Sequence, residues 1–171
     1  MTLAECILAV VTLQRIGELV VSQRNTRALL ARGAVEMAPQ HYPLIVAVHA
    51  SWLISLWVFG REQPVNFVAL AVYLVLQGFR VWVLHTLGAR WTTRIIVLRH
   101  QPLVSAGPYR LLSHPNYAVV CGEIAVLPLV LGLPLLAAIF TILNAVVLTI
   151  RIRAENRALA ASRDRLEQGA P

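Results

Sequence analysis

The chain has 171 residues, enough for one domain, of which 58% are hydrophobic and only 13% charged. Soluble globular domains carry about 25% charged residues, so a mean hydropathy of +0.69 argues against a soluble fold and, being far too apolar, excludes disorder. The net charge of +7 arises from fifteen basic residues, all of them arginine, against eight acidic ones. In so apolar a chain that excess fits loops facing anionic lipid better than a nucleic-acid surface. Neither GxGxxG nor GxxxxGK[ST] occurs, which disfavours a nucleotide-binding α/β fold.

Four apolar stretches follow in order, at residues 2–21, 43–60, 65–84 and 117–150. The first lacks a basic leader and a small-residue cleavage site, so it reads as a span rather than a signal peptide. A spanning helix needs about 20 residues. The fourth stretch is too long for one helix, and Pro128, Gly132 and Pro134 mark a turn near its middle. The expectation is an all-α, integral-membrane bundle of about five transmembrane helices, the last two forming a hairpin. Residues 1–171 make one domain on this reading.

Arginine distribution orients the bundle. Residues 22–42, 85–114 and the tail from 151 hold twelve of the fifteen, while the 61–64 turn holds only Arg61 and the hairpin turn none. Arg15 and Arg80 lie within spans. Arginine-rich loops stay in the cytoplasm, so the N-terminus is expected outside and the C-terminus inside.

Ionisable groups at membrane depth are functional candidates by default. Arg15 and Glu18 are three apart and share a helix face, as a structural ion pair or as a functional one. Arg80 can snorkel. Glu123, two turns into the fourth helix, can pair with Arg15 or Arg80 or line a cavity. Asn144 suits interhelical hydrogen bonding. Tyr42, Trp57 and Trp91 read as interfacial anchors. His41 and His49 lack metal-ligand spacing, and Cys6 and Cys121 lack near partners, so neither a metal site nor a disulfide is expected.

The segment 85–117 carries the chemistry. Gly107-Pro108 marks a turn, Ser113 can cap a helix, and Pro115 suits its first turn. The free N–H groups of that helix start, with its positive dipole end, form an anion site. His114 and Tyr117 share a face there. Directly after the last span, Arg151 and Glu155 are four apart and face one way. Because the two ends of a hairpin lie side by side, Arg151 and Glu155 should approach His114 and Tyr117.

Gly107-Pro108-Tyr109, His114-Pro115-Asn116-Tyr117, an apolar hairpin with Asn144 and then Arg151-x-x-x-Glu155 resemble the isoprenylcysteine carboxyl methyltransferase family. The matching stretch runs over about 87–159. Arg15-x-x-Glu18-Leu19 and Arg24-Asn25 resemble its bacterial branch, some of whose members methylate alkylpyrone or alkylresorcinol hydroxyls. The resemblance implies an integral-membrane enzyme that uses S-adenosyl-L-methionine without a Rossmann domain. It implies cofactor contacts from Tyr109, His114, Pro115, Asn116, Tyr117 and Glu155. Leu103 and Val104 match the end of a His-x-Leu-Val cofactor segment, in which Gln101 stands in place of the His. Arg151 matches the residue placed at the acceptor group, and is the catalytic candidate. Asn156 and the Tyr-free tail depart from members that act on prenylcysteine.

The expected function is methyl transfer to the carboxyl or hydroxyl oxygen of a lipophilic, prenyl or alkyl-chain acceptor at the cytoplasmic membrane face. The bilayer and that small-molecule acceptor are the expected partners, with no nucleic acid. The alternatives are N-methylation of a phospholipid or amine and, from another class, a non-catalytic scaffold or transporter. A transporter would place its polar groups near the midplane and often shows repeats; here the polar cluster of the 85–117 segment lies at one face.

Overall fold

The computed structural model describes residues 1–97 and 104–167, except for the side chains of His41 and of 155–167. Gln101 and Leu103 lie outside the described residues, as does the side chain of Glu155.

Five helices form the body, as expected. Helix α1 spans Leu3–Ala31, α2 Tyr42–Gly60, α3 Phe67–Leu87, α4 Pro115–Val130 and α5 Pro134–Glu167. Among the described residues, α2, α3 and the first part of α5 are each long and apolar enough to cross a membrane. Helix α1 carries Arg15 and Glu18 in its middle, and α4 is apolar but only 16 residues long.

Local chemistry fixes the ends. Thr2 caps α1 reciprocally with Glu5 in a capping box. The Asn66 side chain accepts from the Val68 and Ala69 N–H groups at the start of α3. The expectation that Ser113 caps α4 is not met. His114 occupies that position, with no side-chain cap bond, because the residue before a proline is disfavoured in helical backbone and Pro115 therefore takes the first helical place.

Helix α1 also runs well past the expected end near residue 21. Ser22, Thr26 and Leu29 recur on one face and are buried, while Arg24 and Arg27 project outwards. The polar run is therefore an amphipathic extension of the helix, and not a loop. A two-residue antiparallel pair, β1 Val35–Glu36 with β2 Ile96–Val97, was not anticipated; it ties the segment after α1 to the one after α3.

Contacts between helix ends give the antiparallel order. The Thr2 hydroxyl donates to the Arg61 carbonyl at 2.6 Å, and the Asn66 N–H donates to the Val130 carbonyl at 2.8 Å. The starts of α1 and α3 and the ends of α2 and α4 therefore share one end of the bundle. At the opposite, arginine-rich end, Asn25 donates to the carbonyls of Trp91 and Gly88.

Three layers stack along this axis. The end away from the arginines is an apolar plug of Leu8, Trp52, Leu56, Ile124 and Leu127. Burying a large apolar side chain contributes about 1.5–3 kcal/mol, so this plug holds the bundle together. A charged layer lies midway, and a cavity lies between it and the arginine-rich end.

Candidate active site

The charged layer joins three helices. Arg15 of α1 donates to Glu18 at 3.3 Å and to Glu123 of α4 at 2.8 Å. Arg80 of α3 donates through Nε and Nη2 to the two oxygens of Glu18, and through Nη1 to Glu123 at 2.7 Å. Gln77 donates to Glu123 at 2.7 Å; Gln14 donates to Glu18 at 3.1 Å and to Gln77 at 2.8 Å. Glu123 is fully buried and Arg80 nearly so. Two carboxylates and two guanidiniums cancel, and the amides satisfy lone pairs the arginines leave open. Glu123 thus pairs with both of its candidate partners, whereas Arg15, Glu18 and Arg80 line the cavity above.

That cavity has a volume of about 290 Å³, near the lower bound of small-molecule sites. Its floor is the charged layer. Its upper wall is Asn116 and Tyr117 of α4 with Arg151 of α5. One side is formed by Ile16 and Leu19 of α1 and Val46 of α2, which are both exposed and part of the lining. The cavity therefore opens sideways between α1 and α2 onto the apolar outer surface.

The hairpin ends meet as expected. The Arg151 Nε donates to the Tyr117 hydroxyl at 3.0 Å, and its guanidinium carbon lies 5.5 Å from the centre of the Tyr117 ring. Arg151 Nη2 donates to the Thr93 carbonyl at 2.7 Å. Among the described residues two of its five N–H donors are committed, to the Tyr117 hydroxyl and the Thr93 carbonyl, so the fork is held in place. His114 and Tyr117 stack, with centroids 5.2 Å apart and planes 18° from parallel.

Other candidates sit nearby without lining the cavity. Pro115 is buried at the start of α4. Tyr109 is half-buried in the 3-10 turn Gly107–Arg110, and Val104 is half-buried just before it. The turn needs glycine at 107: its φ is +55°, and a Cβ there would lie 2.5 Å from the Thr86 hydroxyl. The turn thereby packs against α3 and delivers the chain to His114.

The lining also includes Thr93, which the sequence reading missed, and Trp91, His49 and Asn144, to which it gave no place at the site. Thr93 exchanges hydrogen bonds with Ser22 through both its N–H, at 2.7 Å, and its hydroxyl, at 2.8 Å, and contacts the Tyr42 hydroxyl at 3.2 Å. It therefore pins the 88–97 segment across α1 and α2 while its carbonyl holds Arg151. Trp91 is 3% exposed and lines the cavity, so it is no interfacial anchor. Its own carbonyl, with that of Gly88, accepts from Asn25, a contact that the order of residues did not reveal. His49 of α2 also lines the cavity. Asn144 is buried between α5 and α4, contacting Cys121, and also faces the cavity.

The model of the isoprenylcysteine carboxyl methyltransferase family matches residues 68–161, more than half the chain. YpbQ of Bacillus subtilis (strain 168), described as an uncharacterized protein, is 39% identical over 159 residues, covering 90% of this chain and 94% of its own. An uncharacterized protein of Haemophilus influenzae (strain ATCC 51907 / DSM 11121 / KW20 / Rd) is 25% identical over 166 residues, covering 91% of each chain. No solved structure matches the chain significantly.

Proposed function

The chain belongs to the isoprenylcysteine carboxyl methyltransferase family of integral-membrane methyltransferases, and from that premise we propose that it transfers a methyl group from S-adenosyl-L-methionine to an oxygen of a lipophilic acceptor. The observation that carries this reading is the cavity itself. It joins the start of α4 and Arg151 at the arginine-rich end to an apolar opening between α1 and α2. A cofactor held at the start of α4 and a lipid-borne acceptor entering between α1 and α2 would thus meet in one space.

The residues fit such a cofactor in kind. The Asn116 N–H, in the first turn of α4, has no acceptor among the described residues. A carboxylate suits that donor and the positive helix end. The stacked His114–Tyr117 pair offers a flat, polar face to a ring system. Tyr109, His114, Pro115, Asn116, Tyr117 and Glu155 would hold the group, with Gln101, Leu103 and Val104 as further contacts. When bound, it supplies an electrophilic methyl on a sulfonium.

The chain's own residues then act by position and charge. Arg151, braced by Tyr117 and Thr93, aims its remaining donors at an acceptor oxygen and favours the anionic form. The apolar walls of Ile16, Leu19, Val46 and Leu53 take an alkyl or prenyl tail and keep water from the reacting pair. In-line displacement needs little further help once both partners are held, since orientation supplies much of the acceleration. The arginine-rich end, and with it the active site, faces the cytoplasm on this reading, by the positive-inside rule.

The test is direct. Protein in lipid nanodiscs is titrated with S-adenosyl-L-methionine by calorimetry. Transfer of its labelled methyl is then followed to an alkylpyrone and, separately, to a farnesylcysteine analogue. Binding with transfer to the hydroxylic acceptor is expected, in view of Asn156 and the Tyr-free tail. No binding and no transfer to either acceptor refutes the reading.

A further inference from the structure

Arg151 is placed by a chain of contacts that ends on α1. Its Nη2 donates to the Thr93 carbonyl at 2.7 Å. Thr93 lies in an irregular stretch between the 3-10 turn Gly88–Arg90 and β2, where neither a helix nor a strand pairing fixes the backbone. Three contacts hold that stretch instead. Asn25 donates to the Trp91 carbonyl at 2.8 Å, Ser22 Oγ accepts from the Thr93 N–H at 2.7 Å, and the Met37 N–H donates to the Ile95 carbonyl at 2.8 Å. The middle contact falls on the very residue whose carbonyl holds Arg151.

Ser22 is 1% exposed and sits one turn before Thr26 on the buried face of the α1 extension. Its hydroxyl also meets the Thr93 hydroxyl at 2.8 Å, which lies 3.2 Å from the Tyr42 hydroxyl of α2. A hydroxyl has one proton and two lone pairs. Ser22 can therefore accept from the Thr93 N–H and still pair with the Thr93 hydroxyl in either direction. The backbone at Thr93 is thus fixed on both sides, by Ser22 at the N–H and by Arg151 at the carbonyl. An alanine at position 22 would leave that N–H without its acceptor and the Thr93 hydroxyl with Tyr42 alone. Ser22 also lies outside residues 68–161, the stretch that the family model matches.

We propose that Ser22 is a positioning residue of the methyl transfer: through the backbone of Thr93 it sets where the Arg151 guanidinium meets the acceptor oxygen. This rests on the methyltransferase reading above. The Tyr117 hydroxyl fixes one N–H of the guanidinium and the Thr93 carbonyl a second, and two points define the direction of a planar fork. With the second point loosened, the fork can swing about the first. A displacement of about 1 Å at a reacting group can cost about 100-fold in rate. On the same reading the cofactor is held at the start of α4, away from Ser22, so its affinity does not depend on this contact. Helix α1 then belongs to the active machinery, and is more than a wall of the cavity.

The experiment is a cycle of Ser22→Ala, Arg151→Ala and the double variant in nanodiscs. Labelled-methyl transfer is read on the alkylpyrone and on the farnesylcysteine analogue, and cofactor affinity is measured alongside by calorimetry. Ser22→Ala should lower kcat about 10- to 100-fold and leave cofactor affinity at the wild-type value. In the Arg151→Ala background the same change should cost less than about twofold more, because no guanidinium remains to be positioned. Where Ser22→Ala does not fold, Thr93→Val replaces it in the cycle. That change removes the hydroxyl contact with Ser22 but keeps the carbonyl, and the same pattern is expected with a smaller loss of kcat. Equal losses in both backgrounds, an unchanged kcat, or a loss of cofactor affinity that matches the loss of rate overturns the assignment. Wild-type protein that binds no cofactor and methylates neither acceptor overturns the methyltransferase reading, and the assignment with it.

Discussion

Glu123→Leu tests whether the charged layer is the clamp of the bundle. The carboxylate is fully buried and accepts from Arg15, Arg80 and Gln77 at 2.8, 2.7 and 2.7 Å. Removing it leaves two guanidiniums facing only Glu18, an uncompensated positive charge in a largely buried layer. Breaking a buried pair in this way costs about 3–5 kcal/mol, roughly a 150- to 5,000-fold change in the folded-to-unfolded ratio. Adding Arg80→Leu restores neutrality, because Arg15 and Glu18 then match one to one. The double variant should recover more than half of the loss, giving a coupling energy of about 2 kcal/mol or more. The assay is reversible unfolding in mixed micelles, with Glu123→Leu, Arg80→Leu and the double variant closing the cycle. A single Glu123→Leu cost below about 1 kcal/mol, or a double variant that merely adds the two losses, would refute the clamp.

The remaining expectations concern the site and the orientation. Arg151→Lys should keep cofactor affinity but lower methyl transfer about 30- to 1,000-fold, an effect of about 2–4 kcal/mol, since a point charge cannot hold the Tyr117 hydroxyl, the Thr93 carbonyl and an acceptor oxygen together; collapse of cofactor binding with normal turnover would reverse the assignment. His114→Ala removes the ring stacked on Tyr117 and should weaken cofactor binding by calorimetry at least about tenfold, as expected for about 1.4 kcal/mol of lost stacking. Cysteine labelling at Gln63 and Arg163 in sealed membranes should report opposite sides.

What could be read from the sequence was whatever depends on local spacing. The hairpin turn, the shared face of His114 and Tyr117, and the approach of Arg151 all follow from helix periodicity and a short connection. Gln63 and its turn are separated from the arginine-rich loops by hydropathy alone. The partners of Glu123 were narrowed to two but not settled, because they lie 108 and 43 residues away. Their meeting depends on how α1 and α3 rotate about their axes, which packing decides. Trp91 was misread for the same reason: a tryptophan near a span end is an anchor in most membrane proteins, and here it is buried, with its carbonyl accepting from a distant asparagine. The Ser113 cap failed on a single competing residue, Pro115.

The length of α4 bears on the lipid as well as the protein. At 16 residues it extends about 24 Å, against about 28–32 Å for α2 and α3. A hydrocarbon core of about 30 Å cannot be matched by so short an element without thinning or a local dip. The dip would fall at His114 and Tyr117, where α4 begins. Headgroups there would sink towards the site, and the interface between water and oil would curve down to meet the methyl-transfer cavity. An acceptor confined to the leaflet would then travel less far from its resting depth to reach Arg151. Membranes of different acyl-chain length should therefore change KM for the lipophilic acceptor while leaving cofactor affinity untouched.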